Sequence, residues 1–223
     1  MINLYRSAMR TVVPQWHASY REMCSRIAEV QDWRNPEQAP DAFLDDVIYR
    51  ESNGVSSLGQ AFLRFPVDER PPATAFRDAI QQLKEGLTGR YPADNVRTSR
   101  EVFYRIAGGH RIASIFNRVV AGLVPDRVSP VIFNVDFQDA YDKLTNERDG
   151  YFQNVRVRLG EDEWFAKNVW LMSQIRARLP DGPCEGACEG ADVIDDFSRG
   201  IFVWGVHETD WGEWQVLRRH LGW

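Results

Sequence analysis

Cysteine, lysine and long apolar runs are all scarce in this sequence of 223 residues. The three cysteines, Cys24, Cys184 and Cys188, are too few and too scattered for a disulfide scaffold, which favours a reducing compartment. Only three of the 27 basic residues are lysines, and the others are arginines. No apolar run approaches the roughly 18 residues that a membrane-spanning helix needs, and the first residues lack the apolar core of a secretory signal. We therefore expect a cytoplasmic protein that does not enter a membrane.

The motifs of the common catalytic sites are also absent. The sequence contains no GxxxxGK[ST] or GxGxxG phosphate-binding loop, no HExxH zinc motif and no GxSxG nucleophile motif. Cys184 and Cys188 could join His207 at a metal, but a second pair of ligands at zinc spacing is missing. The sequence therefore predicts no metal and no cofactor, and it favours a non-catalytic protein while leaving enzymatic activity open.

Helical periodicity dominates what the chain does contain. Apolar residues recur at alternating spacings of three and four, the pattern of a helix with one buried side, over 14–32, 41–50 and 98–123. Extended structure is indicated by alternation at 155–159, an apolar run at 201–206 and a short run at 131–133. The predicted fold class is mostly α with a few short strands, an α+β protein.

The predicted organisation has three parts. The first, at 1–180, is a mainly helical recognition domain. A glycine-rich, acidic segment follows at 181–199 and reads as a loop or linker. The last part, at 200–223, is a tryptophan-rich strand and helix that packs on the domain.

Arginine and tyrosine side chains line one side of the predicted helix at 98–123. At about 100° per residue, four of them fall within roughly 40° of one another, opposite the apolar stripe. Such a side can pair with phosphates and stack on bases, or it can simply be solvated. It would become two fragments if Gly108 and Gly109 break the helix. The four residues are Arg100, Tyr104, Arg111 and Arg118, and the outer side of the predicted strand adds Arg156 and Arg158 to the DNA-binding candidates.

Four of the eight tryptophans are concentrated in the C-terminal segment. They could build an aromatic pocket for a flipped base, form a partner-binding patch, or anchor the terminal segment to the core. These residues are Trp204, Trp211, Trp214 and Trp223.

A metal-dependent nuclease of the PD-(D/E)xK kind is a further alternative. Pro125 and Asp126 supply the first half of that motif, but no E-x-K or D-x-K follows at a strand position. The same proline and aspartate also serve as a helix stop.

Two blocks of the chain, YRESNGVSSLGQAFL at 49–63 and HRIASIFNRVVAGLVPDRVSPVIFNVDFQDAYDKL at 110–144, carry a family resemblance. In order and rough spacing they are similar to two segments of the N-terminal regions of McrBC-like AAA-type NTPases of modification-dependent restriction systems. In the first block, the residues that match the family pattern are expected to form a tight turn and a helix cap. Those residues are Asn53, Gly54, Ser56, Gly59 and Gln60.

The resemblance implies a region that recognises DNA, often modified DNA, and that works with an NTP-hydrolysing motor. The segment 97–127 contains six arginines against Glu101 and Asp126, which is a local surplus of positive charge. Together these observations predict a non-catalytic DNA-recognition module of a restriction or anti-phage defence system. Its expected partners are DNA and an NTPase motor or nuclease subunit. The alternative is a helical protein-interaction module that binds a partner subunit or a phage protein through the tryptophans.

Overall fold

A computed structural model describes residues 1–10, 12, 15–58, 67–145, 163–184 and 193–220. Over these residues the chain forms ten α-helices, two short 3₁₀ helices and one two-stranded sheet, which confirms the prediction of a mostly helical fold. The α-helices are α1 (Ile2–Met9), α2 (Gln15–Glu29), α3 (Asp41–Ile48), α4 (Arg77–Leu87), α5 (Pro92–Ile106), α6 (Ala113–Leu123), α7 (Asn134–Thr145), α8 (Glu163–Arg178), α9 (Asp196–Glu208) and α10 (Trp211–His220). The 3₁₀ helices are Val67–Glu69 and Ala73–Phe76, and the strands are β1 (Gly182–Pro183) and β2 (Val193–Ile194).

Local signals explain where two of these helices begin. At the start of α9, the Asp195 carboxylate accepts from the Ser198 backbone N–H (2.7 Å) and the Ser198 hydroxyl accepts from the Asp195 backbone N–H (2.9 Å), which is a capping box. Pro92 opens α5, where its missing N–H is not needed. The helix thus starts six residues before Thr98, where the periodicity predicted its beginning, and the Thr98 hydroxyl donates to the backbone oxygen of Asp94.

Residue contacts divide the chain into two units. The central unit is Ser19–Val124, and the terminal unit joins Met1–Ala18 to Pro125–Trp223. This division differs from the predicted boundaries after residues 180 and 199, because α1 at the start of the chain packs against α9 near its end. Helices from both ends of the chain therefore share one core.

Aromatic side chains form the centre of the central unit. Phe76, Phe103 and Phe116 make a continuous row, with neighbouring ring centroids 5.1 Å apart. Gly122 allows α6 to approach α2, since a Cβ at this position would lie 2.6 Å from Cδ1 of Ile27. Burial of these apolar surfaces is the main stabilising contribution of such a core.

The helix α9 lies at the centre of the terminal unit, in contact with α1, α7 and α8. The ring of Tyr5 on α1 packs against Phe202 with 5.7 Å between ring centroids. The segment 201–206, predicted as a strand, is the middle of this helix, so that prediction was wrong. A short apolar run buried on all sides has the same pattern in a strand and in a buried helix.

The predicted helix at 98–123 is two helices, because the chain turns between α5 and α6. Gly108 and Gly109 have φ values of 65° and 88°. These left-handed values are accessible to glycine at little cost and disfavoured for other residues. The predicted arginine side is therefore divided at this turn.

The segment 181–199, predicted as a loop or linker, contributes structure to the terminal unit. β1 and β2 pair antiparallel within it, and Cys184 is buried. Arg199 is also buried and donates to the carboxylates of Asp181 and Asp196. The middle of the segment, at 185–192, lies outside the described residues.

Candidate functional surfaces

Arg118, predicted to lie on an exposed basic side, is 1% exposed. Its Nη1 and Nη2 donate to the backbone oxygens of Arg50 (2.6 Å) and Ile48 (2.7 Å), at the C-terminal end of α3. Burial lowers the pKa of Arg118 to about 9, so the guanidinium group is still charged at neutral pH. The prediction that Arg118 lies on an exposed basic side was wrong, because its cation binds the carbonyl end of α3 instead.

The other predicted DNA-binding residues fall into three places. Arg100 and Tyr104 are half-buried on α5, and Arg111 is exposed in the turn before α6. Arg156 and Arg158, with the predicted strand that would carry them, lie outside the described residues. The break in the helix therefore separates Arg111 from Arg100 and Tyr104.

The solvent side of α5 carries both signs of charge. Nη2 of Arg97 lies 3.0 Å from Oδ1 of Asp94, and Glu101 is exposed on the same helix. Arg105, in the last turn, is exposed as well. In the described part of the chain no carboxylate pairs with Arg105 or with Arg111. These two arginines are therefore available to a polyanion.

The end of α5, with the turn that joins it to α6, is called the arginine turn. It leads into the N-terminus of α6, whose first turn holds no acidic residue and whose N-cap residue provides no side-chain hydrogen bond. One carboxylate lies beside the turn, since Oε2 of Glu69 is 2.7 Å from Nε2 of His110. Helical periodicity missed Arg105, because it lies outside the four-residue stripe that the pattern defined. The arginine turn consists of Arg105, Gly108, Gly109, His110 and Arg111.

Asn53 and Gly54, from the first block of the family resemblance, order the chain after α3. The Asn53 side-chain amide donates to the backbone oxygen of Asp46 (3.1 Å), and its Oδ1 accepts from the backbone N–H of Val55 (3.2 Å). Gly54 has a φ of 87°, and a Cβ there would lie 2.6 Å from the backbone oxygen of Ser19. Both residues thus act within the central unit as a turn and a close contact.

The other three residues of that block that match the family pattern are Ser56, Gly59 and Gln60. Ser56 is buried in the central unit. Gly59 and Gln60 lie outside the described residues, so their role stays a prediction.

Three of the four predicted tryptophans lie on α9 and α10 in the terminal unit. Trp214 is 0% exposed, and its Nε1 donates to the backbone oxygen of Lys143 (3.0 Å). Trp204 and Trp211 are partly exposed. Trp223 lies outside the described residues. Trp214 therefore anchors the terminal segment to the core, whereas Trp204 and Trp211 are at the surface.

Asp139 on α7 connects this aromatic surface to a buried cation. Its Oδ1 accepts from Nε1 of Trp211 (2.7 Å), and its Oδ2 accepts from Nζ of Lys143 (2.8 Å) and lies 2.9 Å from Nδ1 of His207. Burial raises the pKa of Asp139, but the hydrogen bonds from these three side chains outweigh it and hold the pKa below its ordinary value. Asp139 is therefore a carboxylate at neutral pH.

Two further carboxylates lie beside His207. Its Nε2 is 3.9 Å from Oδ1 of Asp136 and 4.0 Å from Oε1 of Glu208. The surface around Trp211 is thus aromatic and acidic. Periodicity and motif searches missed Asp139 and His207, because the two residues are 68 positions apart in the chain.

No metal-binding group supports the nuclease alternative in the part of the chain that the structure describes, since no three His, Cys, Asp or Glu side chains there are arranged to hold an ion. Asp126 lies 3.7 Å from Nε of Arg127, and its backbone oxygen accepts from Arg176. Cys184 is a buried free thiol, and Cys188 lies outside the described residues.

Within the described ranges no helix combines the length and the hydrophobicity needed to cross a bilayer. No protein-family model, curated protein or solved structure matches this chain. A functional assignment therefore depends on the chemistry of the two surfaces and on the resemblance described above.

Proposed function

We propose that the chain is a non-catalytic DNA-recognition module of a restriction or anti-phage defence system and that it contacts the DNA backbone through the arginine turn. The observation that carries this proposal is the exposure of Arg105 and Arg111, which have no ion-pair partner among the described residues, on either side of Gly108 and Gly109. Exposed guanidinium groups without an ion-pair partner can form bidentate hydrogen bonds with phosphate oxygens.

The positive charge is local to this part of the central unit. Ser19–Val124 contains fourteen basic and fourteen acidic residues, whereas 90–112 contains five arginines and two acidic residues. A local surplus of this kind attracts a polyanion even though the whole chain has a net charge of −5.

The start of α6 adds a second source of positive potential. The first backbone N–H groups of a helix have no acceptor within the helix, and the helix dipole is positive at that end. In α6 no acidic side chain of the first turn neutralises it. Arg111 precedes this helix by two residues, so a phosphate bound by Arg111 would also be attracted by the helix end.

The resemblance of 49–63 and 110–144 to McrBC-like NTPases supports a role in targeting DNA, because a recognition region precedes the motor in that family. The second of these blocks begins at His110, within the arginine turn. We accordingly propose DNA, including modified DNA, and an NTPase motor or nuclease subunit of the same system as partners.

Fluorescence anisotropy with 20-base-pair duplexes tests the proposal. Duplexes containing cytosine, 5-methylcytosine or 5-hydroxymethylcytosine are titrated at several salt concentrations with the wild type and with Arg105→Gln/Arg111→Gln. We expect the double variant to bind at least about tenfold more weakly, because two phosphate contacts are lost. The slope of log K against log salt should also fall by about 2. A preference for one modified duplex would identify the target class.

The matched control is Arg34→Gln/Arg50→Gln, which removes two other exposed arginines of the central unit that pair with Asp32 and Asp46. This variant should retain the affinity of the wild type to within about twofold, since already paired surface arginines contribute little. Equal weakening by both double variants would show an effect of net charge rather than a site. If every duplex has a dissociation constant above about 100 μM at low salt, the DNA proposal is wrong.

A further inference from the structure

Two large apolar side chains are exposed beside Asp139 in the terminal unit. Val135 is 80% exposed and lies one helical turn before Asp139 on the same side of α7. Trp211, at the start of α10, is 40% exposed, and its indole nitrogen donates to Asp139. Large apolar side chains grouped at a surface are typical of interaction sites.

The orientation of the Trp211 ring is set from inside the unit. The indole Nε1 of Trp211 donates to Asp139, and Nζ of Lys143 lies 5.5 Å from the ring centroid. Lys143 itself is 3% exposed, so this cation belongs to the interior. The exposed part of the ring is electron-rich and can attract a further cation from solution.

Carboxylates dominate the charge of the two stretches that carry this ring and its hydrogen-bond partner. α7 and the segment 207–213 together contain six acidic residues, and the one lysine or arginine in these two stretches is the buried Lys143. The surface is therefore complementary to a basic polypeptide and repels a nucleic-acid backbone. The six residues are Asp136, Asp139, Asp142, Glu208, Asp210 and Glu213.

We propose that this surface docks an arginine-bearing segment of a partner protein. A guanidinium group can lie over the exposed part of the Trp211 ring and donate to Asp136 or Glu208. Both carboxylates retain acceptor capacity, since each is about 4 Å from His207, beyond direct hydrogen-bond distance. The surface is called the acidic tryptophan face and consists of Val135, Asp136, Asp139, Glu208 and Trp211.

This inference goes beyond DNA recognition and does not depend on it. The residues of the acidic tryptophan face belong to the terminal unit, whereas the arginine turn belongs to the central unit. Loss of DNA binding in Arg105→Gln/Arg111→Gln would leave peptide binding intact, so the two proposals can fail separately.

A labelled octapeptide of alternating arginine and alanine is the probe. Its affinity is measured by anisotropy for the wild type and for Asp136→Asn/Glu208→Gln, and the indole N–H resonance of Trp211, assigned with Trp211→Phe, is followed by NMR. We expect the double variant to bind at least fivefold more weakly. We also expect the Trp211 resonance to shift on peptide addition. A peptide in which citrulline replaces arginine should lose most of its affinity, because it keeps the shape without the charge.

The control is Glu22→Gln/Glu29→Gln, which neutralises two exposed acids on α2 and should leave the affinity unchanged. Equal affinity for the citrulline peptide, equal weakening by the control variant, or an unshifted Trp211 resonance would each overturn the proposal. A shift of the Trp211 resonance by duplex DNA in place of the peptide would overturn it in favour of a nucleic-acid site.

Discussion

Nζ of Lys143 lies 2.8 Å from Oδ2 of Asp139, one helical turn earlier on α7. The same ammonium group donates to the backbone oxygens of His207 (2.8 Å) and Thr209 (2.7 Å), where α9 ends. A lysine has three N–H donors, and all three are used here. The pair thus joins α7 to the negative end of α9 and places Asp139 at the base of the acidic tryptophan face.

Replacing Asp139 with asparagine should destabilise the protein. Asparagine keeps the shape of the side chain but leaves the buried Lys143 without a charged partner, which should reduce the free energy of unfolding by about 2 kcal/mol. Urea denaturation measures the change. Asp142→Asn, on an exposed position of the same helix, is the control and should change stability by less than about 0.5 kcal/mol. Equal effects of the two substitutions would contradict this role of Asp139.

The contribution of Asp139 should also depend on pH. The pKa of this carboxyl is below its ordinary value in the folded state, so its contribution is fully present above the unfolded pKa of about 4. It is lost as the pH falls through the folded pKa. The difference in unfolding free energy between the wild type and Asp139→Asn should therefore shrink below about pH 4. A difference that stays constant down to pH values well below this would be inconsistent with the lowered pKa.

Substitution of Arg118 should affect folding and leave DNA binding unchanged. Arg118→Met keeps much of the apolar stem but removes two charge-assisted hydrogen bonds to the end of α3, which should cost about 2 kcal/mol. Under native conditions the affinity for a DNA duplex should stay within about twofold of the wild type, since the side chain is buried. Urea denaturation and anisotropy measure the two quantities. Weaker DNA binding by a fully folded variant would restore Arg118 to the interface.

Two glycines with similar backbone angles should respond differently to alanine. Gly54 and Gly109 have φ values of 87° and 88°, so both substitutions carry a conformational cost of about 1 kcal/mol. At Gly54 the new Cβ would also lie 2.6 Å from the backbone oxygen of Ser19, whereas nothing lies within 4 Å at Gly109. We expect Gly54→Ala to cost at least about 2 kcal/mol more in chemical denaturation. Equal losses of unfolding free energy for the two substitutions would show that the contact of Gly54 with the backbone of Ser19 does not affect stability.

Gly205, three residues before the end of α9, should be a helical position where alanine destabilises the protein. Alanine usually stabilises a helix by about 1 kcal/mol relative to glycine. Here its Cβ would lie 2.6 Å from the backbone oxygen of Ala8, so α1 would have to move away. We expect Gly205→Ala to lower the melting temperature in calorimetry. An unchanged or higher melting temperature for Gly205→Ala would contradict the packing of α1 on α9. Gly86 cannot serve as a control, because a Cβ there would also lie 2.8 Å from a neighbouring side chain.

The helix α3 shows how much local pattern can predict. The apolar pattern at 41–50 predicted a helix with one buried side, and Phe43, Val47 and Ile48 are all buried in a helix at Asp41–Ile48. The prediction succeeds because 3.6 residues per turn set the relative directions of side chains within one helix. The same reasoning grouped Arg118 with Arg100 and failed. Gly108 and Gly109 have left-handed φ values after the end of α5, so Arg100 and Arg118 lie on two helices and their directions are not related by one helical period.

The amino-acid sequence by itself determined the helical class and the buried sides of individual helices, because these depend on residues that are close together in the chain. Only the tertiary structure decided which charged groups are available. The acceptor of Arg118 on α3 is 70 residues away, and the indole that donates to Asp139 is 72 residues away. Such partners meet only when distant helices pack, so no local spacing specifies whether an arginine faces water or the end of another helix.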